Sequence, residues 1–229
     1  GPAREGRACP AATTLLSCDI VIVGAGSAGC VLANRLSAGG RLKVVLLEAG
    51  PRDVSPWIHL PIGYGKTMWS EAVNWRFYTD PEPTMEGRRI YWPRGRCLGG
   101  SSSINGLIAI RGQPEDYDRW VEQGASGWGW NDVLPYFNRI EDNPDFVGDP
   151  LHGQGGPVHI SGIRPGNELI DAVIAGARSL GLPHNRDFNG LSQEGAGYYQ
   201  LTTGKGLRVS AAKAYLRPAR KRDNLSVVT

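Results

Sequence analysis

The chain has 229 residues, 41% hydrophobic and 21% charged, the balance of an ordinary globular protein and enough for one large domain or two small ones. A net charge of +3 is too small to argue for a nucleic-acid partner, and no apolar run approaches the ~20 residues of a membrane-spanning helix. The cysteines, at 9, 18, 30 and 97, form no Cys-x-x-Cys pair and no Cys/His ligand spacing, which argues against a metal centre; Cys30 and Cys97 read as small buried residues.

Residues 1–17 read as an irregular tail without the apolar core of a secretory signal. An expression remnant, a disordered tail and a transit peptide all fit them. The next stretch, CDIVIVGAGSAGCVLANRLSAGGRLKVVLLEAG (18–50), reads as strand, glycine turn, helix, strand and terminal acid. Asp19–Val23 is a β-branched run that suits a buried parallel strand. Gly24 permits the tight turn out of it. Gly26 lets backbone approach a pyrophosphate, and Gly29 lets the helix expected over 28–36 pack closely on the strand. That helix would point free N–H groups at phosphates. A second strand is expected over 43–47. Glu48 ends it, 19 residues after Gly29, near the spacing for an acid that takes a ribose hydroxyl pair. With 32 glycines in the chain the turn alone is weak evidence. Strand, helix, second strand and acid in register make it a mononucleotide-binding unit. An acid at 48 argues for an unphosphorylated ribose and does not separate NAD from FAD.

Further along, 49–61 is loop, 62–80 carries the aromatics Tyr64, Trp69, Trp75, Phe77 and Tyr78, and 88–93 reads as a short strand. Residues 105–111 are helix or extended. Helices are expected over 114–122 and 128–140, the second capped by Asn131. The texture changes near Asp142: polar turns to 156, a strand over 157–161, and an amphipathic helix over 167–180 with Leu169, Ile170, Val173, Ile174 and Ala177 on its apolar face. A strand over 197–202 and a helix over 210–216, ending before Pro218, come next. The basic run Arg217, Arg220, Lys221, Arg222 reads as a solvated helix end. A β-branched strand at 225–228 stands last, which suggests a truncated unit. The divisions are therefore 1–17, 18–141, 142–222, and 223–229, the last a strand returning to the first domain.

Residues 94–118, RGRCLGGSSSINGLIAIRGQPEDYD, are more specific than the glycine turn. Gly99 and Gly100 allow close backbone approach, while Ser101, Ser102, Ser103 and Asn105 bring donors and acceptors that suit the edge of a flavin ring. Leu98, Ile104, Leu107, Ile108 and Ile110 are too apolar for a flexible linker. Here the chain resembles the glucose-methanol-choline (GMC) FAD oxidoreductases. Gly95, Arg96, Leu98, Gly99, Gly100, Ser101, Ser102, Ile104, Asn105, Ala109, Gly112 and Asp118 match the family's first signature. YWPRGRCLGGSSSIN, DYDRW, GWGWNDVLPYF and RVSAAKAYLRP look most like its choline-dehydrogenase-like and alcohol dehydrogenase branch.

The resemblance implies an α/β fold: a Rossmann-like FAD-binding domain (18–141, with 223–229 returning to it) and the beginning of an α+β substrate-binding domain (142–222), truncated relative to the family. It implies that Gly24, Gly26, Ser27, Ala28 and Gly29 hold the FAD pyrophosphate and that Glu48 binds the ribose. Cys97, Gly100, Ser101, Asn105, Gly106, Leu107 and Ile108 would lie along the flavin, largely through backbone groups, with Trp75 near the flavin domain wall. Some relatives attach FAD through a histidine of the glycine-serine loop. Ile104 stands at that position, so non-covalent FAD is expected. The family's catalytic His and its His or Asn partner belong to sequence beyond Thr229, and none of His59, His152, His159 or His184 sits in their context. The expected activity is oxidation of an alcohol CH–OH group by hydride transfer to flavin, with electrons passed to a quinone, a carrier protein or oxygen. The family's fatty-acid photodecarboxylase branch is one alternative. A flavin-binding fragment, inactive without a separate C-terminal chain, is another. A nicotinamide dehydrogenase is disfavoured by the RGRCLGGSSSIN motif. A cytoplasmic location is expected, with membrane association or an organelle left open.

Overall fold

The computed structural model describes residues 17–163 and 166–229, so the expected tail falls outside it except for Ser17. β1 (Ile20–Val23), α1 (Ser27–Ser37) and β2 (Val44–Leu47) form the strand–helix–strand unit. Two single-turn helices follow, α2 (Pro56–His59) and α3 (Tyr64–Thr67), then the short hairpin of β3 (Phe77–Tyr78) and β4 (Tyr91–Trp92). Next come α4 (Pro114–Glu122) and α5 (Trp130–Ile140). The strands β5 (Glu141–Asp142), β6 (Val158–His159) and β7 (Ser161–Gly162) precede α6 (Glu168–Ser179). After it stand β8 (Gln200–Leu201), β9 (Thr203–Gly204) and β10 (Leu207–Arg208). A wide helical turn, Ala212–Leu216, runs into α7 (Arg217–Ala219), and β11 (Leu225–Val228) follows.

β2 is the centre of a parallel sheet flanked by β1 and β11, in register from Ile20, Val44 and Leu225 to Val23, Leu47 and Val228. Alternation sends Ile22, Val44, Leu46 and Leu225 to one face, where they pack with Cys30 and Ala33 of α1 and with Ala212, Tyr215, Leu216 and Ala219. Burying each such aliphatic side chain contributes roughly 1.5–3 kcal/mol. α1 lies this close because Gly29 has no side chain: a Cβ there would overlap the Gly24 carbonyl. On the opposite face Val21, Val23, Leu47 and Val228 are exposed, Val23 at 84%, although parallel sheets are ordinarily covered on both sides.

Several expectations need correction. Gly129, not Asn131, caps α5; the Asp132 carboxylate accepts the Gly129 N–H at 3.0 Å, and Asp118 accepts that of Trp130 at 3.0 Å. The helix does not end before Pro218. Its coil widens over Ala212–Leu216, which leaves Pro218 in the first turn of α7, where a missing N–H is tolerated. Of the two forms open for residues 105–111, helix is absent: Ile108 is bridged to Leu201, and Leu107 turns the backbone at φ +65°. The strand expected over 157–161 breaks into β6 and β7, and those over 88–93 and 197–202 shrink to two residues each. Arg222 is not a solvated end: it is half-buried and donates to the Asn34 carbonyl and to Ser37 Oγ. α6 forms, with Asn167 Oδ1 accepting the Ile170 N–H at 3.1 Å, yet Leu169 and Val173 of its apolar face are exposed. No described helix is long and apolar enough to cross a membrane.

Candidate functional site

The turn between β1 and α1 leaves room for a ligand. Gly24 has φ +92°, a conformation that favours glycine, and a Cβ at Gly24 or Gly26 would meet nothing within 4 Å. α1 starts at Ser27 with no side-chain cap and no acid in its first turn, so the N-terminal N–H groups of Ser27, Ala28 and Gly29 and the positive end of the helix dipole face that space. Glu48 sits beside them. Its Oε2 accepts the Ala25 N–H at 2.7 Å and its Oε1 the Gly50 N–H at 2.9 Å. The acid at the tip of β2 is thus tied to the glycine turn, and each oxygen keeps a lone-pair site for a further donor.

The glycine-serine loop packs directly on this turn. Gly99 N–H donates to the Ala25 carbonyl at 2.7 Å, and a Cβ on Gly100 would lie 2.7 Å from Gly26 Cα, so only glycine lets the two backbones meet. The serine hydroxyls work mainly inside the loop, not as the free donors that the sequence suggests. Ser101 Oγ accepts the Gly95 N–H at 3.1 Å, Ser102 Oγ donates to the Gly99 carbonyl at 2.6 Å, and Ser103 Oγ donates to the Leu98 carbonyl at 2.8 Å. Short hydroxyl-bearing side chains so close to backbone find these local partners first. Asn105 Oδ1 accepts the Leu107 N–H at 3.1 Å and supports the left-handed φ of +65° at buried Leu107. Gly106 faces open space and Ile108 is half-exposed. Trp75 is half-exposed and stacks on Phe77, and its backbone N–H donates to the Arg94 carbonyl at 2.9 Å, which joins its segment to the start of the loop. Cys97 and Cys30 are fully buried, and burial pushes both thiols up to about 12, so they are neutral packing groups. Ile104 is buried beside Ile58, Val73 and Cys97.

For two polar residues the sequence offered no partners. Arg208, in RVSAAKAYLRP, is the largest fully buried side chain among the described residues and bonds the loop from beneath. His152 centres a buried ionic group: its Nδ1 meets Glu141 Oε1 at 2.8 Å, its Nε2 meets Asp187 Oδ2 at 3.0 Å, and its ring stacks on Phe146. Burial opposes the imidazolium charge, but the bonds to Asp187 and Glu141 outweigh it and hold the pKa up at about 9. With both nitrogens engaged and no exposed side-chain surface, His152 is not a free base. Asn143 Nδ2 donates to Glu141 at 2.7 Å, and Arg111 approaches the other Glu141 oxygen at 3.8 Å. The Arg111 backbone N–H also donates to Asn189 Oδ1 at 2.9 Å, so the group joins the stretch after the glycine-serine loop to residues 141–152 and 187–189. A single histidine gives no sequence signal for partners 11 and 35 residues away.

Comparison with known proteins identifies the family. The GMC oxidoreductase family model matches residues 18–229. The alcohol dehydrogenase [acceptor] of Pseudomonas putida is 44% identical over 211 residues, 92% of this chain and 38% of that protein. The oxygen-dependent choline dehydrogenase of Photobacterium profundum is 48% identical over 214 residues, 91% of this chain and 37% of its own length. Among solved structures, pyridoxine 4-oxidase from Mesorbium loti superposes with a TM-score of 0.86 at 39% identity, over 93% of this chain and 42% of that one. An FAD-dependent oxidoreductase from Chaetomium thermophilum superposes at 0.80 with 26% identity, over 91% and 38%. The chain thus spans about two fifths of the length of the relatives it matches. It belongs to the GMC oxidoreductase family, and its cofactor is FAD.

Proposed function

We propose that this chain is the flavin-binding portion of an enzyme that oxidises an alcohol CH–OH group. The observation that carries the reading is the cradle over Gly24 and Gly26, open to a Cβ yet walled by backbone, with the uncapped start of α1 on one side and Glu48 on the other. This donor set fits FAD. The N–H groups of Ser27, Ala28 and Gly29 bind the pyrophosphate, and Glu48 accepts the adenosine ribose hydroxyls. Gly100, Ser101, Asn105, Gly106 and Ile108 line the flavin, with Cys97 and Leu107 contributing backbone and Trp75 at the wall. Bound FAD supplies the hydride acceptor. Binding is non-covalent, because the side chain at 104 is a buried isoleucine with no nucleophile.

Residues 142–222 begin the substrate-binding domain. Among the described residues His152 is locked between two carboxylates, His159 bonds Asp142 at 2.8 Å, and half-buried His59 meets the Asp53 carbonyl at 2.7 Å through Nε2. On this reading the general base belongs to the part of the relatives' length that this chain does not span. Anaerobic mixing with primary alcohols or choline tests this. The chain joined to a relative's remaining sequence should bleach its flavin, and the chain alone should not. Absence of bleaching in the joined protein with every alcohol tried would refute the substrate class.

A further inference from the structure

Arg208 lies in the β9–β10 hairpin with only 1% of its surface exposed. Its guanidinium grips the glycine-serine loop from within. Nη1 donates to Asn105 Oδ1 at 2.6 Å and to the Ser102 carbonyl at 3.2 Å, and Nη2 donates to the Asn105 carbonyl at 2.8 Å. Nε donates to the Ile58 carbonyl at 2.8 Å. All four acceptors are neutral oxygens, and among the described residues no carboxylate pairs with Arg208. That is an uncommon setting, because a buried guanidinium is usually matched by an anion and a hydrophobic side chain would fill the same volume without the desolvation penalty. A role in packing alone does not explain it. Burial lowers its pKa to about 10, so the group stays charged at neutral pH and keeps its donors.

What the fork holds is distinctive. Asn105 Oδ1 receives Arg208 and the Leu107 N–H together, and Leu107 is a non-glycine residue held at φ +65°. The Leu107 carbonyl is taken from the same side by Thr202, through its N–H at 2.8 Å and its Oγ1 at 3.1 Å. Ser102 Oγ accepts the Ala211 N–H at 2.9 Å, and Lys213 Nζ donates to the Arg208 carbonyl at 3.1 Å, which ties the strand that carries Arg208 to the helical turn after it. Residues 102–107 are therefore gripped by 202–213, while Gly106 in the same segment faces open space. We infer that Arg208 is a positioning residue, which clamps Ser102–Leu107 into the shape that receives the flavin without touching the cofactor itself.

This inference rests on the flavin reading of the loop given above. The test is FAD titration of the apoprotein by flavin fluorescence quenching, with thermal midpoint and visible circular dichroism of the bound flavin recorded alongside. Arg208→Lys keeps the charge and loses the fork. It should bind FAD at least about tenfold more weakly and change the flavin dichroism, the scale seen when groups that orient a site are removed. Asn105→Ala severs the shortest bond of the fork at an exposed position. The double variant should lose no more affinity than the weaker-binding single variant. Arg208→Lys binding within about twofold of wild type with unchanged dichroism, or additive losses in the double variant, would overturn the inference and leave the flavin site standing. If wild type does not bind FAD, both readings fall. Should Arg208→Lys not fold, Arg208→Gln, which loses the fork but keeps an amide donor, decides in its place: a loss of about fivefold or more with changed flavin dichroism supports the clamp, and a smaller loss overturns it.

Discussion

His152 makes the stability of this chain depend on pH in a direction that follows from its partners. Its pKa is raised from 6.5 to about 9, whereas those of Glu141 and Asp187 are lowered. The folded state therefore favours the imidazolium. The stabilisation it brings is complete below about pH 6.5 and is lost as pH rises through about 9. The carboxylates contribute fully above their ordinary range, and their share is lost as pH falls through their lowered values. All three act together between about pH 5 and 6.5. The histidine shift corresponds to about 3 kcal/mol, at about 1.36 kcal/mol per pH unit, lost on the alkaline side. For a chain of this size that is a fall in thermal midpoint of about 6–12 °C between pH 6 and 9. His152→Leu removes the slope and leaves two carboxylates with Arg111 as their nearby cation, which costs about 3–5 kcal/mol near pH 6. Thermal melts followed by circular dichroism from pH 6 to 9.5 read both effects. Equal alkaline slopes in wild type and His152→Leu would refute the argument.

Three further outcomes are expected. Glu48→Ala should weaken FAD binding by about 1.5–3 kcal/mol, roughly 10- to 150-fold, and an unchanged dissociation constant would remove Glu48 from the ribose. Acid precipitation of the loaded protein should leave yellow supernatant over a colourless pellet, because Ile104 offers no attachment point; flavin kept on the denatured chain would contradict this. Residues 1–229 alone should show no alcohol-dependent flavin bleaching, because the proposed reading puts the general base, with its roughly 10²–10⁴-fold assistance, outside this chain. Bleaching at the rate of the joined protein would overturn that.

The legible parts of this molecule were those written in local spacing. Gly24, Gly26 and Gly29 could be assigned roles because each answers a need of one tight turn, and Glu48 because a short parallel strand fixes its distance from that turn. β11 was legible from its own β-branched run, Leu225–Val228. The partners of Arg208 and His152 were not, because they lie 103, 106 and 150 residues away for the one and 11 and 35 for the other. Arg222 read as a solvated charge for the same reason: the carbonyl and hydroxyl it meets belong to α1. The helix across Pro218 was hidden by a change of helical pitch that no periodicity announces. α6 shows the reverse case, since its apolar stripe predicts the helix correctly and says nothing of what covers it.

The central claim is that the space over the β1–α1 turn holds the FAD pyrophosphate, and Gly26→Ala tests it most directly. Gly26 has φ −73° and a Cβ there meets no atom within 4 Å, so the substitution fits the folded chain without strain. Losing a glycine at the helix cap should move the thermal midpoint by no more than about 3 °C. The added methyl group stands where the phosphates must approach the backbone, so the FAD dissociation constant should rise by at least about tenfold. A folded Gly26→Ala chain that binds FAD as tightly as wild type would place the cofactor elsewhere and contradict the account.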